Sequence, residues 1–486
     1  MSTSDPGSHV DLDVRAADAE TELFVIDGQF RLSSRGMGTL HAQLPPGIYK
    51  LKSRLGYVTR EQHIALRDKP VVIALPPFSV SSPAPLNSTF KTHEYQMGAA
   101  ETESRNIHLK AGQGSWIFVF ARDWTDPTSS VKRPPIEWSP ARGLSITNQH
   151  GELVADLGTQ AKTSRNGDPW AAFNIELNPG IYCLQLELPS NQAKAKSSLR
   201  QTIVASPGWQ TQVFLLQRAY GPEYQDWRAD LAGASILVSR TPGFSVNNAD
   251  FRGIELARLA LKNRRRLLSS ELLAMLDNKF ENPMFGILGG HLLLLDAEPN
   301  TSLLSRVVAK LRMLLGAPHP DVEALALQVD QSGSYVFDSP PMVHRSWSLI
   351  VNATATRPDL VPSDSLSAKM FDRIWQGEPW LLWHSAEAQE TEGMSDFETI
   401  LATHLKHALK KKSAPRVANE EQALGVLGYQ ELGAPGGTAE LELDETKVQA
   451  IVQTLGIPRS RLKDLLSQTY SKISSATASA QSSKGE

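Results

Sequence analysis

The stretch LPPGIYKLKSRL (Leu44 to Leu55) returns 133 positions later as LNPGIYCLQLEL (Leu177 to Leu188), with seven of twelve positions identical. Two segments this similar must share one local structure, and that structure reads as β. Each copy holds a Pro-Gly turn (Pro46-Gly47 and Pro179-Gly180), where proline fixes φ and glycine permits positive φ. Period-2 alternation follows. Tyr49, Leu51 and Leu55 lie opposite Lys50, Lys52 and Arg54; Tyr182, Leu184, Leu186 and Leu188 lie opposite Cys183, Gln185 and Glu187. The flanks agree as well, REQHIAL and VVIAL downstream of the first copy matching RQTIVA and QVFLL downstream of the second. The pattern predicts two related antiparallel β-sandwich modules over 12–77 and 104–218, preceded by a disordered 1–11 and joined by a linker over 78–103.

Three short segments of the first copy, Val25-Ile26-Asp27-Gly28, Leu44-Pro45-Pro46-Gly47-Ile48-Tyr49 and Gly56-Tyr57, resemble PEGA-type carrier and surface modules. The resemblance covers about a tenth of the chain. It implies a noncatalytic spacer or binding element, of a kind often found outside the cytoplasm. The N-terminus, MSTSDPGSHVDLDVRAADAE, is polar and acidic with no apolar h-region, so the residues themselves point to the cytoplasm.

Between the flanks of the second copy lies an insertion, DWTDPTSSVKRPPIEWSPARG (Asp123 to Gly143), rich in Pro, Trp and charge. Long loops in compact domains are often functional. Trp124 and Trp138, with Trp170, are candidates for an aromatic platform that takes a sugar or a peptide, against the plainer reading that they cap the sandwich ends. The single cysteine, Cys183, excludes an internal disulfide and any Cys-built zinc site. It stands where the first copy has Lys50, and with no histidine beside it in the strand it is expected to be a buried structural thiol.

From Asn248 the period becomes helical, and a mainly helical domain is expected over 219–410, with about five helices between 248 and 330. Asn282-Pro283 is an N-cap followed by proline at the first helical position, and the helix after it is apolar nearly all round, so it belongs at the centre of a bundle. Gly286, Gly289 and Gly290 would allow close approach there. Gly316 reads as a C-cap and Asp321 as the next N-cap. RSWSLIVNA (Arg345 to Ala353) reads as a strand. Trp375 and Trp380, with Trp383, are candidate aromatic anchors for an interface, against packing at the edge of the core.

An acidic run, Glu387 to Glu398, passes into a basic one ending in Lys410, Lys411 and Lys412. Ser395 to Glu398 is a capping box, and acids at the start with lysines at the end suit a helix dipole, the plainer reading of Lys410 to Lys412 against their being candidate interaction residues that help bind nucleic acid. Residues 411–421 read as an exposed tether in which Ser413, Ala414, Pro415 and Arg416 are candidate cleavage positions. A small helical unit over 422–473 follows, then a disordered tail over 474–486. Within the unit, KVQAIVQTLGIPRSRLKDLLSQTY (Lys447 to Tyr470) resembles the helix-turn-helix family: Ile451 and Leu455 face the core, Gly456 turns, and Leu462 and Leu465 anchor the second helix. The resemblance implies base or phosphate contacts from Arg459, Ser460, Arg461 and Lys463. Residues 434–486 carry six bases and six acids, which weakens the phosphate attraction on which DNA affinity depends.

A net charge of −3 gives no overall pull toward nucleic acid or anionic lipid, and the most apolar run, Pro283 to Leu295, is shorter than the roughly 18 residues of a membrane span. No P-loop, dinucleotide fingerprint, metal triad or nucleophile elbow is present. The expectation is therefore a multidomain β plus α protein: two antiparallel β-sandwich modules, a mainly helical domain and a small C-terminal helical unit. Its expected role is that of a noncatalytic cytosolic adaptor or regulatory protein with one or more protein partners, no membrane and no cofactor. Nucleic acid ranks second as a partner, through a DNA-associated regulator using the C-terminal hairpin, and a glycan-binding β-sandwich is the third reading.

Overall fold

The structure, a computed structural model, describes residues 9–385 except 19–20, 56–57, 79–81, 88–93, 124–137, 165–168, 189–196, 221–225, 241, 265–269, 278, 331–332 and 376; beyond these it describes 431–432, 440–441 and Pro458. Trp124, Lys410 to Lys412, the tether at Ser413 to Arg416, and Arg459, Arg461 and Lys463 of the C-terminal unit lie outside the described residues. The chain is a mixed β plus α protein with several sheets. It divides into two compact units, one of Met1–Arg142, Leu157–Gly180 and Val204–Val322, the other of Gly143–Asp156, Ile181–Ile203 and Glu323–Glu486.

The first copy of the repeat is seven strands: β1 (Val10–Ala16), β2 (Glu22–Ile26), β3 (Leu32–Met37), β4 (Thr39–Leu44), β5 (Gly47–Leu55), β6 (Val58–Leu66) and β7 (Val71–Leu75). They form one sheet in the order β6-β5-β2-β3-β4-β1-β7, antiparallel except that β1 and β7 run parallel. The Pro46-Gly47 turn is not a hairpin, since β4 pairs with β1 and β5 with β2. It is a corner between the two halves of the sheet, held by the Tyr49 hydroxyl, which donates to the Pro45 carbonyl at 2.9 Å. Alternate side chains from both halves, among them Leu12, Val14, Leu40, Leu23, Val25, Leu51 and Ile64, pack into one core.

The second copy, preceded by helix α1 (Glu94–Glu103) and strand β8 (Leu109–Lys110), contains β9 (Ser115–Arg122), β10 (Leu144–Asn148), β11 (Leu153–Asp156), a short helix α2 (Leu157–Gln160), β12 (Lys162–Thr163), β13 (Trp170–Leu177), β14 (Gly180–Glu187), β15 (Ser198–Ala205) and β16 (Trp209–Tyr220). Its pairings repeat those of the first: β9 runs antiparallel to β13 and parallel to β16, and β10 runs antiparallel to β11 and β14. Strand β15 lies beside β14 as β6 lies beside β5. The duplication seen in twelve residues thus extends to the strand map of a whole module. One link differs. Met37 pairs with Thr39 to join β3 to β4, whereas α2 and β12 separate β11 from β13, so the second copy falls into two sheets.

In the first unit the sheet of β12, β13, β9 and β16 continues past residue 218 into β17 (Asp226–Ala229) and β18 (Ser235–Arg240). Helices α3 (Ala249–Lys262), α4 (Ser270–Leu276), α5 (Pro283–Leu293), α6 (Thr301–Leu315) and α7 (Pro320–Ala326) follow, the five expected between 248 and 330. Asn282 caps α5 by accepting from the Met284 amide, all eleven residues of α5 are buried, and Gly316 ends α6 at φ +65°. A Cβ at Gly286 would meet Phe280 and Leu311, and one at Gly289 would meet Leu276, so glycine is needed for this packing. Asp321 lies inside α7; the side chain that accepts its amide is His319.

Of the stretch 78–103, expected as a linker, the described residues include several held on this unit. Arg122, fully buried at the end of β9, donates to the Pro83 and Ser82 carbonyls and to the Gln96 side chain. Leu55 and Phe78 pack on Leu256 and Leu259 of α3, where Arg252 pairs with Asp18 and donates to the Phe78 carbonyl. Below α1, buried Asn174 and Gln210 both donate to the Ser104 carbonyl.

The second unit holds the sheet β11-β10-β14-β15, extended by β20 (Leu382–His384) and β19 (Ile374–Trp375), with α8 (His344–Thr354) and α9 (Leu366–Met370). Strand β20 pairs antiparallel with β15. The expected strand RSWSLIVNA is helix α8: Trp347, Ile350, Val351 and Thr354 are buried at helical spacing. Its β-branched content imitates a strand, but it buries only one stripe.

Candidate protein-interaction surface

Strand β5 shows how the surface arises. Its alternation buries Tyr49, Leu51, Ser53 and Leu55 and turns Ile48, Lys50, Lys52 and Arg54 outward. Cross-strand register then sets the outward residues in rows: Ala65 beside Ile48; His63, Lys50, Ile26 and Leu32; Glu61, Lys52, Phe24 and Arg35; Thr59, Arg54, Glu22 and Met37. Lys50 and Lys52 share Glu61 at 3.0 and 3.4 Å, and Arg54 makes a two-pronged contact with Glu22 while lying 5.2 Å from the Phe24 ring. Four cations against two carboxylates leave the face positive.

At one end the face is apolar and open. Phe30 is 82% exposed, Ile48 69% and Leu32 56%. Phe30 sits in the β2–β3 turn at φ +61°, a left-handed conformation that costs a residue with a Cβ about 1–2 kcal/mol. Asp27 enforces it: its carboxylate accepts from the Gln29 and Arg31 amides and from the Arg31 side chain. The Arg31 amide bond, followed by that of Gln29, holds the Asp27 carboxyl below the ordinary aspartate range. The Lys50 ammonium lies 5.9 Å from the ring so presented.

In the second copy one position of the corresponding face is buried, while Leu153, the register counterpart of Leu32, is exposed. Cys183, in the place of Lys50, is buried in one cluster with Trp347, Ile350 and Val351 of α8 and with Trp383 of β20. Burial pushes its thiol up to about 12, against a smaller opposing pull from Arg200. At neutral pH almost no thiolate exists for reaction. Native protein is expected to give no reaction with Ellman's reagent and guanidinium-unfolded protein one thiol per chain; a reactive native thiol would contradict this burial.

Other candidates are placed as follows. Trp138 stacks under Arg142, whose guanidinium lies 4.3 Å from the ring, and Trp170 stacks on Phe120. Each ring therefore has one stacking partner within the unit. Trp380 and Trp383 are core, and Trp375 is half-buried over Gly377. A polar cavity of about 340 Å³ on the second unit is lined by Ser145, Asp156, Gln185, Glu187, Ser198 and Arg200. The residues of the candidate surface were not singled out by sequence reasoning, although Ile48 on the lysine-bearing face of β5 was a visible signal.

No family model and no curated protein matches the chain. Among solved structures it is similar over 37% of its length to the Bacillus anthracis TIE protein, at 16% identity and a TM-score of 0.15, spanning 29% of that protein. It is also similar over 49% of its length to the fimbrial anchor protein Mfa2 from Porphyromonas gingivalis, at 8% identity and a TM-score of 0.13, covering 99% of that chain. Likenesses this slight carry no argument about fold or role. Among the described residues no helix is long and apolar enough to cross a membrane.

Proposed function

We propose that this chain is a noncatalytic adaptor or regulatory protein of the cytoplasm that works through protein contacts, with the outer face of β6-β5-β2-β3 as one contact surface. The observation that carries the reading is the exposed cluster of Phe30, Ile48 and Leu32 on an otherwise charged sheet face. Solvent-facing aromatics held in a strained turn gain nothing from folding, and such strain gathers at functional positions. The reading agrees with the resemblance of the first copy to PEGA-type modules, which implies a binding element rather than an enzyme. The C-terminal helical unit on its 411–421 tether would be the separable part. A lone, buried cysteine suits a reducing compartment.

The test is affinity capture of the full chain from its native lysate with nuclease present, comparing the wild type with a Phe30→Gly, Leu32→Ser, Ile48→Ser variant. A stoichiometric protein retained by the wild type and lost by the variant is expected. Recovery that collapses on nuclease treatment would instead favour the DNA-associated regulator acting through Arg459 and Arg461.

A further inference from the structure

We propose that the polar cavity of the second unit is a binding site for a small zwitterion, a free amino acid whose carboxylate is taken by Arg200 and whose ammonium is taken by Glu187. The proposal is independent of the protein-contact reading above and concerns a different part of the chain.

The duplication supplies the first argument. The outward residues Lys52 and Arg54 of β5 correspond to Gln185 and Glu187 of β14. In the first copy the charges at these positions are closed on one another. Lys52 faces Glu61 of β6 and contacts it at 3.4 Å, and Arg54 faces Glu22 of β2 and contacts it at 2.6 Å. The second copy breaks both pairs. Gln185 stands in place of the lysine, and its amide oxygen accepts from Nε of Arg200 on β15 at 2.9 Å. Opposite Glu187, where Glu22 answers Arg54, stands Gly143, whose carbonyl accepts the Glu187 amide. Among the described residues, Glu187 and Arg200 make no ion pair with each other or with any third residue. Gly143 adds no side chain of its own to the cavity of about 340 Å³, which it lines with Ser145, Gln185, Ser198, the half-buried Arg200 and the exposed Glu187.

Charge and size then select the occupant. Two carboxylates, Glu187 and Asp156, line the cavity against one guanidinium, so a bare anion meets net repulsion and a neutral polyol answers neither sign. A ligand with both charges answers each. With its Nε engaged by Gln185, Arg200 still presents two terminal nitrogens, a planar fork suited to a carboxylate. Glu187 lies two residues along β14 from Gln185, roughly 7 Å. Two long side chains based that far apart can reach charges carried on one small molecule. The Ser145 hydroxyl and the paired Ser198 and Ser385 hydroxyls add neutral partners. A volume at the low end of the roughly 300–1,000 Å³ of ligand sites suits one amino acid better than an oligosaccharide.

The common L-amino acids are offered singly to the full-length chain by saturation-transfer NMR. The strongest binder is then titrated by calorimetry beside its N-acetyl and C-amide derivatives and glucose. At least one amino acid is expected to bind, with Kd raised at least about tenfold by either cap, a change near 1.4 kcal/mol. Glu187→Gln and Arg200→Gln should each weaken the parent ligand by a similar factor. Each variant should also be indifferent to the cap it matches, acetylation for Glu187→Gln and amidation for Arg200→Gln, a coupling that a merely structural effect would not produce. Glu187 is exposed, so Glu187→Gln should keep its circular dichroism spectrum and carries the test if Arg200→Gln fails to fold.

No binding by any amino acid at millimolar concentration, equal binding of the capped derivatives, or a parent affinity unchanged in Glu187→Gln would each overturn the proposal. Glucose bound as tightly as the amino acid would overturn it too, in favour of a sugar site.

Discussion

Glu255→Ala is expected to destabilise the first unit by about 3–5 kcal/mol, because it strands a buried guanidinium. Glu255 and Arg258 lie one turn apart on α3 with side chains 2% and 3% exposed. Arg258 grips the carboxylate with two donors, at 3.0 and 2.8 Å, and the Ser235 hydroxyl of β18 adds a third at 2.6 Å. Removing the acid leaves the cation with no equivalent acceptor at that position. The cavity of about 360 Å³ beside Arg258, lined also by Asp230 and Lys262, gives water some access and places the effect toward the lower end of the range. Glu255→Leu with Arg258→Met removes both charges at similar volume and should be close to neutral. Urea unfolding of the three proteins decides the matter. A loss below about 1 kcal/mol for Glu255→Ala would mean the pair is effectively solvated.

That pair also marks where sequence reasoning stops. ELAR on a helix looks like an exposed i, i+3 ion pair, and Ile254, Leu256, Leu259 and Leu261 already supply an apolar stripe. Nothing local reveals that α3 is enclosed by β18 and α5 on its other sides. Local chemistry was legible where it is self-contained: the Asn282 cap, the left-handed Gly316 and the duplicated strand pattern, although Gly47 and Gly180 are not among the positive-φ glycines that their turns led one to expect. The helix α8 was misread because Trp347, Leu349 and Val351 satisfy a period of two while Trp347, Ile350, Val351 and Thr354 satisfy one of 3.6, and only tertiary packing chooses. Lys50 against Cys183 was visible as a substitution. That the cysteine is buried in one cluster with Trp347, Ile350 and Val351 required seeing α8 in place.

Arg122→Met should loosen Ser82, Pro83 and Gln96 from the first unit and cost on the order of 3–5 kcal/mol, since buried acceptors left unpaired cost roughly 1–3 kcal/mol each. The guanidinium is fully buried and donates to the Ser82 and Pro83 carbonyls at 3.2 and 3.0 Å and to the Gln96 side chain at 2.9 Å. A methionine fills much of the volume and satisfies none of the three acceptors. Arg122→Lys should recover less than half of the loss, because one ammonium cannot reproduce a planar fork aimed at separate acceptors. The far end of α1 has its own anchors: Glu103 pairs with Lys162, and the Ser104 carbonyl accepts from Asn174 and Gln210. Hydrogen exchange should therefore accelerate near Ser82 and Gln96 in Arg122→Met while the amides of Ser104 to Asn106 keep their protection. Equal acceleration at Ser82, Gln96 and Ser104 to Asn106 would show that these positions come away together, with Arg122 as their dominant attachment. Unchanged exchange at Gln96 would show that the helix stays docked without the guanidinium.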